Sequence, residues 1–139
     1  MQQCLQAIDA LLVDATTLSA AAFAKYVAYN RQFHALLAEM SGSAIVRRQI
    51  ERVITLPFAS PNAFVMVQTS GPQARDTLVV AQAQHHAVMQ AIDAREGTRA
   101  AAVMHEHAQI ARNNLRDALR SRQALQRVPG ARLIRRVGR

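Results

Sequence analysis

Apolar residues recur three and four positions apart in five segments of this sequence, and this spacing constrains the fold more than any other feature. Such spacing gathers apolar side chains on one face of an α-helix, whereas a half-buried β-strand requires alternation. Half of the 139 residues are apolar, only 4% are aromatic and none is tryptophan, which favours an alanine-rich helical protein. We therefore predict one all-α domain that is long enough to bury a core.

Serine, glycine and proline residues separate the predicted helices. Ser19 is suited to cap the start of the second helix, Gly42 to end it in the left-handed conformation, and Pro57 to stop the third. The predicted bounds are about 2–13, 19–40, 44–56, 73–94 and 98–126.

Five histidines lie on three of these helices, and helical phase separates inward from outward rings. His34 shares its face with apolar residues and with Asn30, one turn earlier. His85 lies among apolar neighbours, whereas His86 lines up with a polar set that we expect to face outward: Gln82, Gln90 and Asp93.

His105 and His107 lie roughly 200° apart around their helix, so only one of them can point inward. His107 lies among apolar residues, whereas His105 accompanies Gln109 and Arg112. We therefore expect His107 to face the core.

Three inward histidines on three helices could converge on one metal ion. Neutral imidazole is a common ligand for zinc, nickel, copper and iron, and the amide of Asn30 could add an oxygen. The alternative is that His34, His85 and His107 are core histidines, each hydrogen-bonded to a neighbour. Periodicity alone leaves both interpretations open.

The net charge of +8 is concentrated at the C-terminal end. Residues 1–111 contain eight basic and eight acidic residues, whereas residues 112–139 contain nine arginines and only Asp117 as an acid. This end could contact nucleic acid or an acidic partner, or it could be a solvated helix end and tail.

Cysteine content and hydropathy bear on location. A single cysteine, Cys4, excludes a disulfide framework and fits the reducing cytoplasm. No secretory signal is evident, and no apolar run approaches the roughly 20 residues needed to span a bilayer. We expect a cytoplasmic protein without a membrane partner.

Two motifs resemble the FCD (FadR-like C-terminal) domain of GntR-superfamily transcription regulators. The first matches its D/N-x-x-F-H-x-x-L-x-x-x-S-G-N pattern through Asn30, Phe33, His34, Leu37, Ser41, Gly42 and Ser43. The second matches a spaced set of residues formed by His85, Ile92, Met104 and His107. The resemblance covers about residues 5–119.

This resemblance implies an antiparallel all-helical bundle that binds a small effector, often an organic acid, and controls a separate winged-helix DNA reader. In metal-binding members the ligands match Asn30, His34, His85 and His107 here. Asn30 stands where those members have an acidic residue, so we expect a neutral ligand set. Zinc or nickel is the expected ion.

The resemblance also predicts the domain organisation. We expect an FCD-like ligand-binding domain over 5–126 and a basic tail over 127–139. We expect the N-terminal winged-helix domain, and the first helix of the family's effector domain, to be absent from this chain, so that DNA is bound only through a domain not present here. Apolar surface uncovered by the missing helix would favour a homodimer.

The expected site chemistry is that of a sensor. Three imidazoles and one amide leave up to two positions open on a six-coordinate ion, where a carboxylate or 2-hydroxy acid could bind. Arg52 is a candidate for a bidentate contact with that effector. Effector binding would then favour one arrangement of the bundle over another.

Two other classes of function remain alternatives at this stage. A metal-dependent enzyme would also use histidines with open positions, but no inward acidic residue near them offers a general base. A small basic nucleic-acid-binding protein is indicated only by the arginines near the C-terminus. We expect no enzymatic activity.

Overall fold

The computed structural model describes residues 1–13, 19–56, 59, 74–120 and 133, and within them it contains five α-helices and no strand. The helices are α1 (Gln2–Val13), α2 (Ala20–Glu39), α3 (Ala44–Ile54), α4 (Ala74–Asp93) and α5 (Gly97–Arg120). The all-α prediction is confirmed. Residues predicted to extend the last helix beyond 120, and all of the 127–139 tail except Leu133, lie outside the described residues. None of the described helices is both long and apolar enough to cross a membrane.

Serine side chains cap the starts of α2 and α3, and the cap at Ser19 agrees with the sequence prediction. The Ser19 hydroxyl accepts a hydrogen bond from the Ala22 N–H at 3.1 Å, and the Ser43 hydroxyl accepts one from the Val46 N–H at 3.3 Å. Each bond satisfies a backbone donor that the first helical turn leaves without an intrahelical partner. Gly42 has a φ of +63°, so a glycine occupies the left-handed position between the two helices.

A three-residue turn joins α4 to α5. The Glu96 N–H donates to the Ala91 carbonyl at 2.7 Å and the Arg95 N–H donates to the Ile92 carbonyl at 2.9 Å, the Schellman pattern of a helix end. Arg95 holds the left-handed position with a φ of 61°, where glycine is the usual residue. The turn makes α4 and α5 an antiparallel hairpin.

Helix α1 packs antiparallel on α2 and contacts α4. Near one end of α1, Leu12 shares an apolar cluster with Phe23 of α2, and near the other end Cys4 lies with Phe33. The Cys4 thiol donates to the Tyr29 carbonyl at 3.2 Å. These contacts place the core between α1, α2 and α4.

Helix α3 differs from the other helices because none of its residues is buried. Its main packing is against α2. Five of its large apolar side chains are between 37% and 66% exposed: Ile45, Val46, Ile50, Val53 and Ile54. The apolar face of α3 therefore has no cover from the described residues.

Candidate metal centre

The three histidines predicted to face inward come together between α2, α4 and α5. One ring nitrogen from each of His34, His85 and His107 lies within 4.8 Å of those from the other two. The ring centroids are 5.4 Å apart for both pairs that include His34 and 4.5 Å apart for His85 and His107. His86 and His105 are exposed, as helical phase predicts.

The helix arrangement explains this convergence. His85 and His107 lie at similar distances from the turn that joins α4 to α5, so the antiparallel hairpin sets them opposite each other. His34 approaches from α2, and the neighbouring Phe33 packs its fully buried ring against His85 with centroids 4.2 Å apart. The histidine centre, meaning His34, His85 and His107, is therefore walled on one side by an aromatic ring.

The closest ring contact has a spacing that suits metal coordination. The Nε2 atoms of His85 and His107 are 3.2 Å apart. Nitrogen ligands about 2.0–2.1 Å from a tetrahedral zinc ion are separated by about 3.3 Å. The pair can thus coordinate one ion with little movement of either ring.

The buried amide of Gln82 sets the tautomer of His85. The Gln82 NH2 group donates to the Leu5 carbonyl at 3.0 Å and to the Asp9 carboxylate at 2.7 Å. Because two oxygens fix the NH2 side, the amide oxygen must face the other way, where it lies 3.1 Å from His85 Nδ1. His85 therefore donates from Nδ1, and its Nε2 lone pair is directed toward His107.

Gln84 performs the corresponding role for His107, with its amide oxygen 3.2 Å from His107 Nδ1. In this orientation both Nε2 lone pairs face each other, an arrangement that a cation between them stabilises. With the Gln84 amide reversed, His107 can instead donate from Nε2 to His85. The two rings thus share either a metal ion or a proton.

Burial keeps the three imidazoles neutral at pH 7. Desolvation, and to a smaller extent the neighbouring His107, lowers the pKa of His34 to about 4 and that of His85 to about 2. Desolvation also lowers the pKa of His107. His34 Nε2 is buried and has no hydrogen-bond partner among the described residues. Neutral rings with lone pairs directed into one small space are the form that transition metals bind.

The remaining predicted site residues lie in different surroundings. Asn30 is only 2% exposed and lies on α2 one turn before His34, as its phase predicts. Arg52 is exposed on α3, and no hydrogen bond or ion pair connects its guanidinium to the histidine centre within the described ranges. The roles of both residues stay predictions.

Gln82 lies in surroundings that differ from those predicted by its helical phase. Its alignment with His86 predicts an outward side chain, yet it is only 4% exposed. Helix α1 covers that flank of α4 and supplies polar partners from Leu5 and Asp9. His86 itself lies 3.0 Å from the Asp9 carboxylate at the rim of the same contact. A polar residue one turn before both His85 and His86 was the available signal.

Two grooves flank His86 where α1 meets α4. The larger has a volume of about 410 Å³ and is lined in part by Asp9, Arg75 and Gln82. The smaller has a volume of about 350 Å³ and is lined in part by Met89. None of the three histidines of the centre lines either groove, so Gln82 separates the larger groove from His85.

Comparison with protein families shows which domain family this chain resembles. The family model of the FCD domain matches residues 2–110, which is 109 of the 139 residues. The matched range includes all of α1 to α4 and the part of α5 that carries His107. A search of curated proteins finds no match.

Proposed function

The chain belongs to the FCD-domain family, the FadR-like C-terminal domain of GntR-family regulators, and from this premise we propose that it senses a small carboxylate at a metal centre. An FCD domain is a regulatory effector-binding domain rather than a catalytic one. The observation that carries the metal part of the proposal is the approach of three neutral imidazoles, with two Nε2 atoms 3.2 Å apart.

The proposed ligands are the rings of His34, His85 and His107 together with the side-chain oxygen of Asn30. Three imidazoles and an amide suit zinc or nickel, and FCD domains often bind metal. The buried, partnerless Nε2 of His34 supports this assignment because a buried polar atom without a partner costs free energy that coordination would recover. The set fits a divalent ion.

The ion would supply positive charge that these neutral ligands leave uncompensated, and this charge attracts a carboxylate. The aromatic wall of Phe33 lowers the local dielectric and thereby strengthens that attraction. Arg52 is the residue that we propose for a bidentate contact with the carboxylate. The positive charge of the ion therefore favours a small organic acid as the effector.

The proposal includes assembly and DNA contact. The exposed apolar face of α3 supports a homodimer, because such a face is stabilised by burial against a second copy. DNA would be bound through a winged-helix domain rather than through the FCD domain itself. The single cysteine supports a cytoplasmic location.

Calorimetric titration of the tag-free chain with zinc and with nickel tests the metal centre. We expect binding of one ion per chain, loss of binding in His85→Ala, and unchanged binding in His105→Ala, an exposed histidine of α5. Acetate and L-lactate then serve as probe carboxylates and should bind the zinc-loaded protein but not the metal-free protein. Equal zinc binding by His85→Ala, or equal carboxylate binding with and without zinc, would contradict the proposal.

A further inference from the structure

Gln82 makes two sets of contacts that belong to different parts of the molecule. Its amide oxygen accepts from His85 Nδ1 at 3.1 Å, while its NH2 group donates to the Leu5 carbonyl and the Asp9 carboxylate of α1. The side chain is 4% exposed, so water cannot readily replace these partners. One planar amide therefore spans the space between α1 and a histidine of the centre.

The two sets of contacts depend on each other. The position of α1 decides which side of the amide carries NH2, and this decides that the oxygen faces His85. The oxygen in turn holds the proton on His85 Nδ1 and leaves Nε2 as a lone pair. If α1 moved away, the NH2 group would keep only its 3.2 Å contact with His86 Nε2, and the orientation of the amide and the tautomer of His85 would be held less firmly.

We propose that Gln82 is a positioning residue that couples metal binding at His85 to the docking of α1 on α4. This inference rests on the proposed metal centre. Metal bound at His85 Nε2 keeps the proton on Nδ1, which keeps the amide oriented toward α1, and docked α1 keeps His85 ready for metal. Because coupling between two equilibria is reciprocal, zinc stabilises the docking of α1 as much as docked α1 stabilises the binding of zinc.

Gln84 provides a matched contrast on the same helix. It also presents its amide oxygen to a histidine of the centre, at 3.2 Å from His107 Nδ1. Among the described residues that contact is its only side-chain hydrogen bond, so nothing connects Gln84 to α1. Loss of Gln84 should weaken metal binding without uncoupling α1.

The experiment measures zinc affinity and hydrogen–deuterium exchange of the α1 amides in the full chain, with and without saturating zinc. In the wild type, zinc should slow exchange across Gln2–Val13. Gln82→Leu should weaken zinc binding by about 10- to 100-fold, and saturating zinc should no longer change exchange in α1. Gln84→Leu should weaken zinc binding to a similar extent but retain the slowing of exchange.

Gln82→Glu separates the two sets of contacts. A carboxylate still accepts from His85 Nδ1 but cannot donate to α1, so zinc affinity should stay near that of the wild type while the response of α1 is lost. If Gln82→Leu loses its helical circular dichroism and so fails to fold, the coupling is tested by comparing Gln82→Glu with Gln84→Leu. Equal zinc-induced slowing of α1 exchange in these two variants overturns the proposal.

The outcomes distinguish this inference from the proposed function beneath it. A wild-type chain that binds no zinc overturns both. A wild type that binds zinc, together with a folded Gln82→Leu variant of equal affinity and equal α1 response, overturns the coupling alone and leaves the metal centre in place.

Discussion

The interior between α2, α4 and α5 and the surface of α3 depart from ordinary burial in opposite directions. The interior encloses polar rings, including a fully buried His85, whereas α3 exposes a row of large aliphatic side chains. Buried polar groups normally need hydrogen-bond partners, and exposed apolar side chains are normally scattered rather than clustered.

The difference indicates what each region needs. His34 Nε2 has no hydrogen-bond partner within the described structure, and a cation can satisfy it together with the facing nitrogens of His85 and His107. The apolar face of α3 needs another apolar surface instead, and a second copy of the chain offers one. We therefore propose that the same domain combines a site for an ion with a site for a second copy of the chain.

Acidification of the metal-free protein should lower the free energy of unfolding through the buried histidines, and this should be the largest of the expected changes. Burial lowers the pKa of His34 to about 4 and that of His85 to about 2, so the unfolded chain binds protons first. Stability is therefore fully present above pH 6.5 and falls as the pH drops toward 4. For each of these two rings, the free energy of unfolding should fall by about 2 kcal/mol between pH 7.5 and pH 5.0. Urea unfolding at the two pH values measures this change.

His85→Leu provides the contrast for this pH effect, and His105→Ala is its control. Removing the buried ring of His85 should reduce the pH-dependent loss of stability by about 2 kcal/mol, whereas removing the exposed ring of His105 should leave it unchanged. A loss of the same size in His85→Leu and the wild type would mean that the buried rings do not cause it.

Zinc should raise the free energy of unfolding by somewhat less than acidification lowers it. At about 100 times its dissociation constant, a ligand of the folded state adds about 2.7 kcal/mol to the free energy of unfolding. For a domain of this size we expect the Tm to rise by about 10 °C in differential scanning calorimetry. His34→Ala should remove most of this rise and His105→Ala none of it. An undiminished rise in His34→Ala would exclude that ring as a ligand.

Most of the fold, and the choice of histidines, could be predicted from the sequence. The bounds of α1 agree with the prediction, and those of α2 and α4 agree within about one residue. Phase selects His85 over His86 and His107 over His105, because neighbours along a helix cannot share one narrow face. Local spacing determines these features.

Features that depend on neighbouring helices could not be predicted in this way. Helix α4 is covered by α5 on one flank and by α1 on another, so its buried arc is wider than a single stripe and includes Gln82. The spacing in α3 predicts an amphipathic helix but cannot show that the other described residues leave its apolar face uncovered. Both depend on contacts between residues far apart in the sequence.

Substitutions in α3 test whether its exposed apolar face forms the proposed homodimer interface. Val46→Ser combined with Val53→Ser removes two exposed methyl-bearing side chains one above the other on the helix. The dissociation constant of the homodimer should rise by about 10- to 100-fold, equivalent to about 1–3 kcal/mol. Analytical ultracentrifugation measures this, with Arg48→Ser on the polar face as the control. An unchanged dimer would place the interface elsewhere.

A substitution in the turn between α4 and α5 should change the free energy of unfolding by the smallest amount. Arg95 adopts a left-handed conformation that costs free energy for a residue with a side chain, whereas glycine adopts it without strain. Arg95→Gly should raise the free energy of unfolding by up to about 1 kcal/mol, because the relieved strain exceeds the extra entropy of the unfolded chain. Urea unfolding tests this, and destabilisation by Arg95→Gly would show that the arginine side chain contributes more than the strain it imposes.

X-ray absorption spectroscopy of the tag-free, zinc-loaded chain tests the proposed histidine ligands, because it reports which atoms surround the ion. We expect only nitrogen and oxygen neighbours, with the outer-shell scattering of three imidazole rings, and a loss of one ring in His107→Ala. Sulfur from Cys4 in the first coordination shell, or the same imidazole scattering in His107→Ala and the wild type, would contradict a metal centre formed by His34, His85 and His107.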